Sequence, residues 1–210
     1  MEQQKQSFRI AKNTFVLFLR MTILMIVNLL AVRLLLKNIG EEDYGIFNAV
    51  AGVITTATGV TAVLELALQR FYAIAIGESN SRKQQDIFSS SLNIVAIAVI
   101  FITLTFETLG VWFLNYHLNI PADRLFAANV VFQFSLIAFV FQLLQVPSTA
   151  AIFAHEDMGY YMIVSTVDSL LKLSLAYSIY YVPSDKLTAY SIGLTIVVGF
   201  IMSVYTMIAR

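Results

Sequence analysis

Six apolar stretches, each long enough at roughly 20 residues to cross a hydrocarbon core of about 30 Å as a helix, follow one another along this chain of 210 residues. Together they leave little room for a soluble domain. Several carry charged side chains well inside their ends, and a charge at membrane depth is costly unless it faces protein or water. The sequence therefore predicts an all-α membrane protein, a bundle of six transmembrane helices with a polar interior.

Composition supports this class and narrows the chemistry. Hydrophobic residues make up 59% of the chain and charged residues 12%, against about 25% charged in soluble domains. The net charge is zero, so nothing indicates a nucleic-acid partner. The absence of cysteine excludes disulfides and thiolate metal sites. Because the chain contains no Walker A loop, nucleophile elbow or HExxH sequence, we expect no enzymatic activity, cofactor or metal.

The predicted spans lie between polar runs or prolines, at residues 13–36, 45–76, 87–112, 125–146, 160–182 and 187–208. Residues 1–12 are polar and basic and form a predicted cytoplasmic segment ahead of the six-helix lobe, residues 13–210. All three prolines are predicted to fall between spans, where they end helices. Asp43 is a predicted N-cap of the second span.

Lysine and arginine favour the cytoplasmic side of a membrane. Six of these residues flank the predicted spans on the same side of the membrane as the N-terminus: Lys5, Arg9, Lys12, Arg82, Lys83 and Arg210. Three flank the spans on the other side: Lys37, Arg124 and Lys186. This bias predicts a cytoplasmic N-terminus.

Small residues form a stripe on one face of the second span. Gly45, Ala49, Gly52, Thr56 and Gly59 recur at three- and four-residue steps. Small side chains let helix backbones approach closely in a membrane, so the stripe predicts helix packing.

Four charged residues lie inside the first two spans. Arg20 and Glu65 reach similar depths and are candidates for an ion pair, while Arg70 lies nearer the end of its helix. Arg33 is one turn from Lys37, and the two either hold an anionic headgroup or extend outward to the membrane surface. We expect Arg20, Arg33 and Arg70 to border one polar cavity.

Asp168 and Lys172 lie one turn apart near the middle of the fifth span, in the order that favours an intrahelical ion pair. The pair is either a neutralised unit that only lowers the cost of insertion, or a cavity-facing site for a proton, ion or phosphate. Three glutamines of the fourth span, Gln133, Gln142 and Gln145, either line the same interior or bond to neighbouring helices.

Several motifs resemble, in order and spacing, those of the polysaccharide-unit (lipopolysaccharide and O-antigen) flippases of the multidrug/oligosaccharidyl-lipid/polysaccharide flippase superfamily. They are RLLLKNIGEEDYGIFNAVAGV at 33–53, QRF at 69–71, WFLN at 112–115, IPADR at 120–124, FQFS at 132–135 and AHEDM at 154–158. The likeness extends over nearly the whole chain.

The resemblance implies translocation of an undecaprenyl-pyrophosphate-linked oligosaccharide across the bacterial inner membrane by alternating access. Members of the family have two bundles of six or more helices, and arginines in the cavity receive the pyrophosphate. Arg33 and Arg70 fall on arginines of the family motifs, whereas Arg20, Asp168 and Lys172 are candidates by their depth alone. These five residues are the predicted substrate-binding set.

This chain has only six predicted spans, so it is similar to the N-terminal half of such a transporter. We expect membrane lipid and either a second lobe or a second copy of the chain as partners. Two other functions remain open. A cation-coupled multidrug antiporter of the same superfamily needs a deep acid, for which Asp168 qualifies, and a non-transporting scaffold needs no shared cavity.

Overall fold

The helices of the computed structural model follow the apolar stretches of the sequence. The structure describes residues 2–78, 80–156 and 158–208, with side chains apart from those of 2–13, 15–17, 19, 20 and 81. The α-helices, with a π-helical turn between α4 and α5 and a 3₁₀ turn after α7, are α1 (Glu2–Ile39), α2 (Glu41–Thr55), α3 (Thr58–Gly77), α4 (Ser81–Thr105), α5 (Val111–Tyr116), α6 (Leu125–Ala154), α7 (Met158–Ser178) and α8 (Lys186–Ile208).

Six helical segments are long and apolar enough to cross a membrane, which confirms the predicted all-α bundle. They are Met21–Ile39, Thr58–Gly77, Arg82–Tyr116, Leu125–Ala154, Met158–Tyr181 and Lys186–Ile208. The described part of the chain contains no strand. The helix of α1 also extends back through most of the predicted N-terminal segment.

The second predicted span, residues 45–76, is divided into α2 and α3. Thr56 and Ala57, between the two helices, keep right-handed helical dihedrals. The backbone turn there is tighter than in an α-helix, because Ala57 donates its N–H to the Ile54 carbonyl rather than to the carbonyl four residues back. Thr55, Thr56 and Thr58 each donate a hydroxyl to a carbonyl of the preceding turn. Such bonds compete with regular helix geometry and bend helices.

Pro147 lies inside α6, so the prediction that it ends the fourth span is wrong. A proline removes one backbone donor, but in membrane helices threonine hydroxyls and neighbouring helices satisfy the freed groups. Thr149 Oγ1 donates to the Val146 carbonyl at 3.1 Å and to the Gln145 carbonyl at 3.4 Å. These bonds lie within one turn of Pro147, whose missing N–H would have served the Leu143 carbonyl, and α6 continues to Ala154.

The bundle packs around α6. It contacts α2, α3, α4, α7 and α8, and 44% of its span is buried, a larger share than in any other span. Its fully buried Phe132 and Leu143 belong to the main apolar core, together with Val50 of α2 and Val95 of α4. The α1 helix instead packs along α7. The central position of α6 explains why most of its residues are apolar, as expected of a buried helix.

An ionic clamp ties three segments together at one end of the bundle. The Arg124 guanidinium, just before α6, donates to Asp185 at 2.9 Å and to Asp43 at 2.8 Å. Asp43, predicted as an N-cap, lies in the first turn of α2 behind Gly40, whose φ of 99° suits glycine. We call Arg124, Asp43 and Asp185 the clamp, and the end that holds it the clamp end.

The two carboxyls of the clamp have opposite electrostatic surroundings. Burial raises the pKa of Asp43, and the attraction of Arg124 offsets this only in part. Burial also acts to raise the pKa of Asp185, but the Thr188 hydroxyl and backbone N–H, with Arg124, hold it below its usual value. Asp43 is therefore the member that depends most on its cation.

Two further polar bonds join helices at the clamp end. Asn38 of α1 donates its side-chain amide to the Ala176 carbonyl of α7 at 2.9 Å, and this amide is buried. Lys186 of α8 donates to the Asn38 carbonyl at 3.1 Å. With the clamp, these bonds connect α1, α2, α6, α7 and α8 at this end.

The stripe of small residues on α2 packs against nothing within the described chain. All five members are exposed, and a Cβ at Gly45, Gly52 or Gly59 would meet no atom within 4 Å. Within the described chain the stripe therefore makes none of the close helix contacts that it predicts, and packing against a helix outside this bundle stays a prediction. The core of α2 is formed instead by its opposite face, with Ile46 and Val50.

Gly110 packs closely against the ring of a buried aromatic side chain. A Cβ there would lie 2.6 Å from Cζ of Phe132, which is fully buried. We expect Gly110→Ala to lower the free energy of unfolding by about 1–3 kcal/mol, the usual cost of overpacking. Gly59→Ala, the matched control, should be neutral or stabilising by up to about 1 kcal/mol. Thermal and denaturant unfolding in detergent measures both, and equal effects would contradict this reading.

Candidate functional site

A polar cavity of about 390 Å³ lies between α3, α6, α7 and α8, with Leu24 of α1 at its edge. Its walls carry charged, amide and hydroxyl side chains, among them Glu65, Gln142, Gln145, Thr149, Asp168 and Lys172. The volume is within the range of about 300–1,000 Å³ typical of ligand pockets. Polar walls of this kind inside an apolar bundle are the strongest sign of a site in the described chain.

The cavity extends from near the ends of α7 and α8, where Tyr161 and Tyr205 line it, to about the middle of the predicted spans. Asp168 is ten residues into α7, which begins at Met158, or about 15 Å along the helix axis. Gln145 is nine residues from the end of α6 at Ala154, or about 14 Å. Half of the hydrocarbon core is about 15 Å. The clamp lies at the opposite ends of these helices, so the cavity and the clamp are well separated.

The predicted ion pair between Asp168 and Lys172 is present. Lys172 Nζ donates to Asp168 Oδ2 at 2.8 Å, and the two side chains keep 35% and 24% of their surface exposed. Both line the cavity. The pair is thus neutralised locally and also faces the polar space, and its use as a site for a proton, ion or phosphate stays a prediction.

Glu65 brings a second acid to the same cavity, from α3 on the far wall. It makes no ion pair with any side chain that the structure describes. The predicted partner, Arg20, has its side chain outside the described residues. The cavity therefore holds one paired acid and one acid without an observed ionic partner.

Two of the three glutamines line this space, as one of the two predictions for them stated. Gln142 and Gln145 are in the cavity wall. Gln133 instead donates to Glu107 of the π-helical turn at 3.1 Å. Each amide offers both a donor and an acceptor, which suits hydroxyl-rich or phosphate-bearing ligands.

The arginines are not gathered around this cavity. Arg33 lines a separate groove between α1 and α7, and Arg70 is exposed on α3 and absent from both walls. The prediction that Arg20, Arg33 and Arg70 border one polar cavity is therefore wrong for Arg33 and Arg70. Helical rotation explains this, because depth along a helix does not determine which face a side chain occupies.

Sequence reasoning missed the hydroxyl groups of the wall. Ser165 and Ser169 line the cavity with Asp168 and Lys172, and their spacing of three and four residues places them on one face of α7. This spacing is the sequence pattern from which the two serines can be predicted to line the cavity. Thr61 and Thr149 carry no comparable pattern, since their place depends on how α3 and α6 meet.

No known protein family, curated protein or solved structure matches this chain.

Proposed function

We propose that this chain forms one lobe of a transporter that moves undecaprenyl-pyrophosphate-linked oligosaccharides between the leaflets of the bacterial inner membrane, with its N-terminus in the cytoplasm. The polar cavity, which reaches mid-membrane depth, carries this proposal. Polar and ionisable groups at that depth are expensive and mark substrate or ion pathways. The order of the flippase-like motifs supports the same function.

The chemistry of the walls suits a headgroup that combines sugar and phosphate. Gln142 and Gln145 can donate to and accept from sugar hydroxyls. Lys172 can exchange its bond with Asp168 for one to a phosphate oxygen, and a bond of this charge-assisted kind is stronger than one between neutral groups. Asp168 keeps Lys172 neutralised when no phosphate is present, which lowers the cost of an empty cavity.

The exposed stripe of α2 suits a second bundle. Small residues permit close contact between membrane helices, and Gly45, Gly52 and Gly59 have open space beside them. A cavity of about 390 Å³ holds only a few sugar units, so an oligosaccharide needs further space between two lobes. A second lobe or a second copy of this chain would supply it.

A cation-coupled antiporter is the second candidate. It is favoured by Glu65, an acid in the cavity wall without an ion pair among the described side chains. A scaffold without transport activity is favoured by the local pairing of Lys172 with Asp168 and by the absence of Arg33 and Arg70 from the polar cavity, although a scaffold does not require the cavity itself.

Photo-crosslinking with a polyprenyl-pyrophosphate oligosaccharide tests the proposal on the purified chain in lipid vesicles. We expect crosslinks on the α6 and α7 peptides that contain Gln145 and Asp168, because both line the cavity. Excess unlabelled lipid-linked oligosaccharide should compete, whereas polyprenol and free oligosaccharide should not. Crosslinks distributed over the lipid-facing helices, or equal competition by polyprenol, would contradict the proposal, and competition by lipophilic cations would favour the antiporter.

A further inference from the structure

A second cavity, of about 580 Å³, lies between α1 and α7. We call it the α1–α7 groove. Its lining is largely apolar, with two cations at one end, and includes Leu30, Arg33, Lys37, Leu170, Leu173 and Tyr177. Nothing in the proposed transport cycle uses this groove.

The groove and the polar cavity lie on different sides of the α1–α7 pair. Successive helical residues are rotated by about 100°, so the groove residues of α7 centre about 140° from Asp168 and its cavity-lining neighbours. On α1, Arg33 and Lys37 are likewise well over 120° from Leu24, at roughly 180° and 140°. A ligand in the groove is therefore separated from the cavity by both helices.

The groove spans the depth of one leaflet. Leu30 is nine residues from the end of α1 at Ile39, or about 14 Å, close to half of the hydrocarbon core. Arg33 and Lys37 lie between Leu30 and that end. The apolar part thus lies at acyl-chain depth, and the cations lie toward the level of the headgroups.

The two cations have no ionic partner among the described residues. In the part that the structure describes, neither Arg33 nor Lys37 makes an ion pair, although Glu41 and Glu42 follow closely in sequence. The neighbouring Lys186 is already bonded to the Asn38 carbonyl. The exposed surfaces of Leu30, Leu170 and Tyr177 leave the groove open to lipid.

We infer that the α1–α7 groove binds one anionic phospholipid of the leaflet at the clamp end, with its phosphate on Arg33 and Lys37 and an acyl chain along Leu30, Leu170 and Leu173. Arginine matches phosphate oxygens in a fork, and lysine adds a second charge. The apolar lining selects a lipid over free phosphate. The separation from the polar cavity makes this lipid a structural ligand of the lobe, distinct from any transported one.

A fluorophore attached to one introduced cysteine tests this site, because the chain contains no cysteine of its own that could also be labelled. Leu170→Cys is labelled at the deep end of the groove, and Ile97→Cys, on the exposed face of α4, serves as reference. Each labelled protein is placed in phosphatidylcholine vesicles that contain either spin-labelled phosphatidylglycerol or spin-labelled phosphatidylcholine, with the spin label on the acyl chain. Quenching of the fluorophore by each spin-labelled lipid is measured. We expect phosphatidylglycerol to quench at the groove with about 25-fold higher apparent affinity, since each of the two cations near the surface contributes about fivefold. The reference should show no preference.

Two double variants decide the role of the cations. Arg33→Gln with Lys37→Gln should abolish the preference, whereas Arg82→Gln with Lys83→Gln, which removes two charges at the other end of the bundle, should leave it intact. Ser174→Trp fills the groove without removing a cation and should weaken quenching by both lipids, which keeps the test decisive if the first variant fails to fold.

Three results would overturn the inference. One is an equal preference at the groove and at the reference, which would indicate general surface charge. Another is an equal loss in both double variants. The third is displacement by inorganic phosphate at constant ionic strength, which would identify a free-phosphate site.

Discussion

Lys172→Met should reduce the proposed transport by about tenfold or more, because a hydrogen bond to a charged group is worth about 1.5–3 kcal/mol. Lys172 Nζ lies 2.8 Å from Asp168 within the cavity wall, so this variant removes the only cation that the structure describes in the wall. Asp168→Asn should also impair transport, since the unneutralised ammonium would hold phosphate too tightly for release. Delivery of the glycan to the outer leaflet of the host membrane measures both.

The double variant Asp168→Leu with Lys172→Met separates a functional pair from a structural one. Replacing a paired set of charges by apolar side chains is often neutral for stability, whereas removing one partner leaves an uncompensated charge. We expect the double variant to fold as the parent does and still to fail in transport. Parent-like transport would mean that the pair only assists insertion.

The Lys83–Glu78 pair offers a matched control. Its atoms are 2.7 Å apart, but both side chains are about half exposed, and they lie away from the cavity. Lys83→Met should leave transport unchanged, because exposed pairs contribute little. A comparable loss in this control would show that the assay responds to the charge of the protein rather than to the cavity.

Sequence periodicity predicted the bundle and one half of the site. Six apolar stretches and an acid–base pair at a spacing of four residues are local patterns, and both are present in the structure. Local geometry determines these features, since a helix one turn long already brings Asp168 to Lys172. The same reasoning reached Gln142 and Gln145 through their depth in the membrane.

The remaining features depend on how helices pack, which local patterns do not encode. Depth suggested a shared cavity for Arg33 and Arg70, but the rotation of α1 and α3 places them elsewhere. The sequence predicts a helix end at Pro147, but α6 continues past it to Ala154 at the packed centre of the bundle. The clamp was missed because its members lie 81 and 61 residues apart in sequence.

Arg124→Ala should lower the free energy of unfolding by about 2–3 kcal/mol. The Asp43 side chain is only 8% exposed, and removing the partner of a buried carboxylate leaves an uncompensated charge. The guanidinium itself is 36% exposed, which places the cost below the about 3–5 kcal/mol of a fully buried pair. Thermal unfolding in detergent measures the change, and the double variant Glu78→Ala with Lys83→Ala, at an exposed pair, should change stability by less than about 1 kcal/mol.

The destabilisation by Arg124→Ala should also depend on pH, in a direction that identifies Asp43 as its source. Burial raises the pKa of Asp43 and Arg124 opposes this, so the pKa rises further once Arg124 is removed. A carboxyl whose pKa is higher in the folded than in the unfolded protein costs nothing below both values and becomes costly as the pH rises through the folded value. The variant should therefore approach the parent in stability at acid pH and become less stable than the parent toward neutral pH.

The alternative source of the pH dependence is Asp185, whose pKa is held low with the help of Thr188 as well as Arg124. Adding Asp43→Asn should remove most of the pH dependence, and its persistence in that double variant would assign the cost to Asp185 instead.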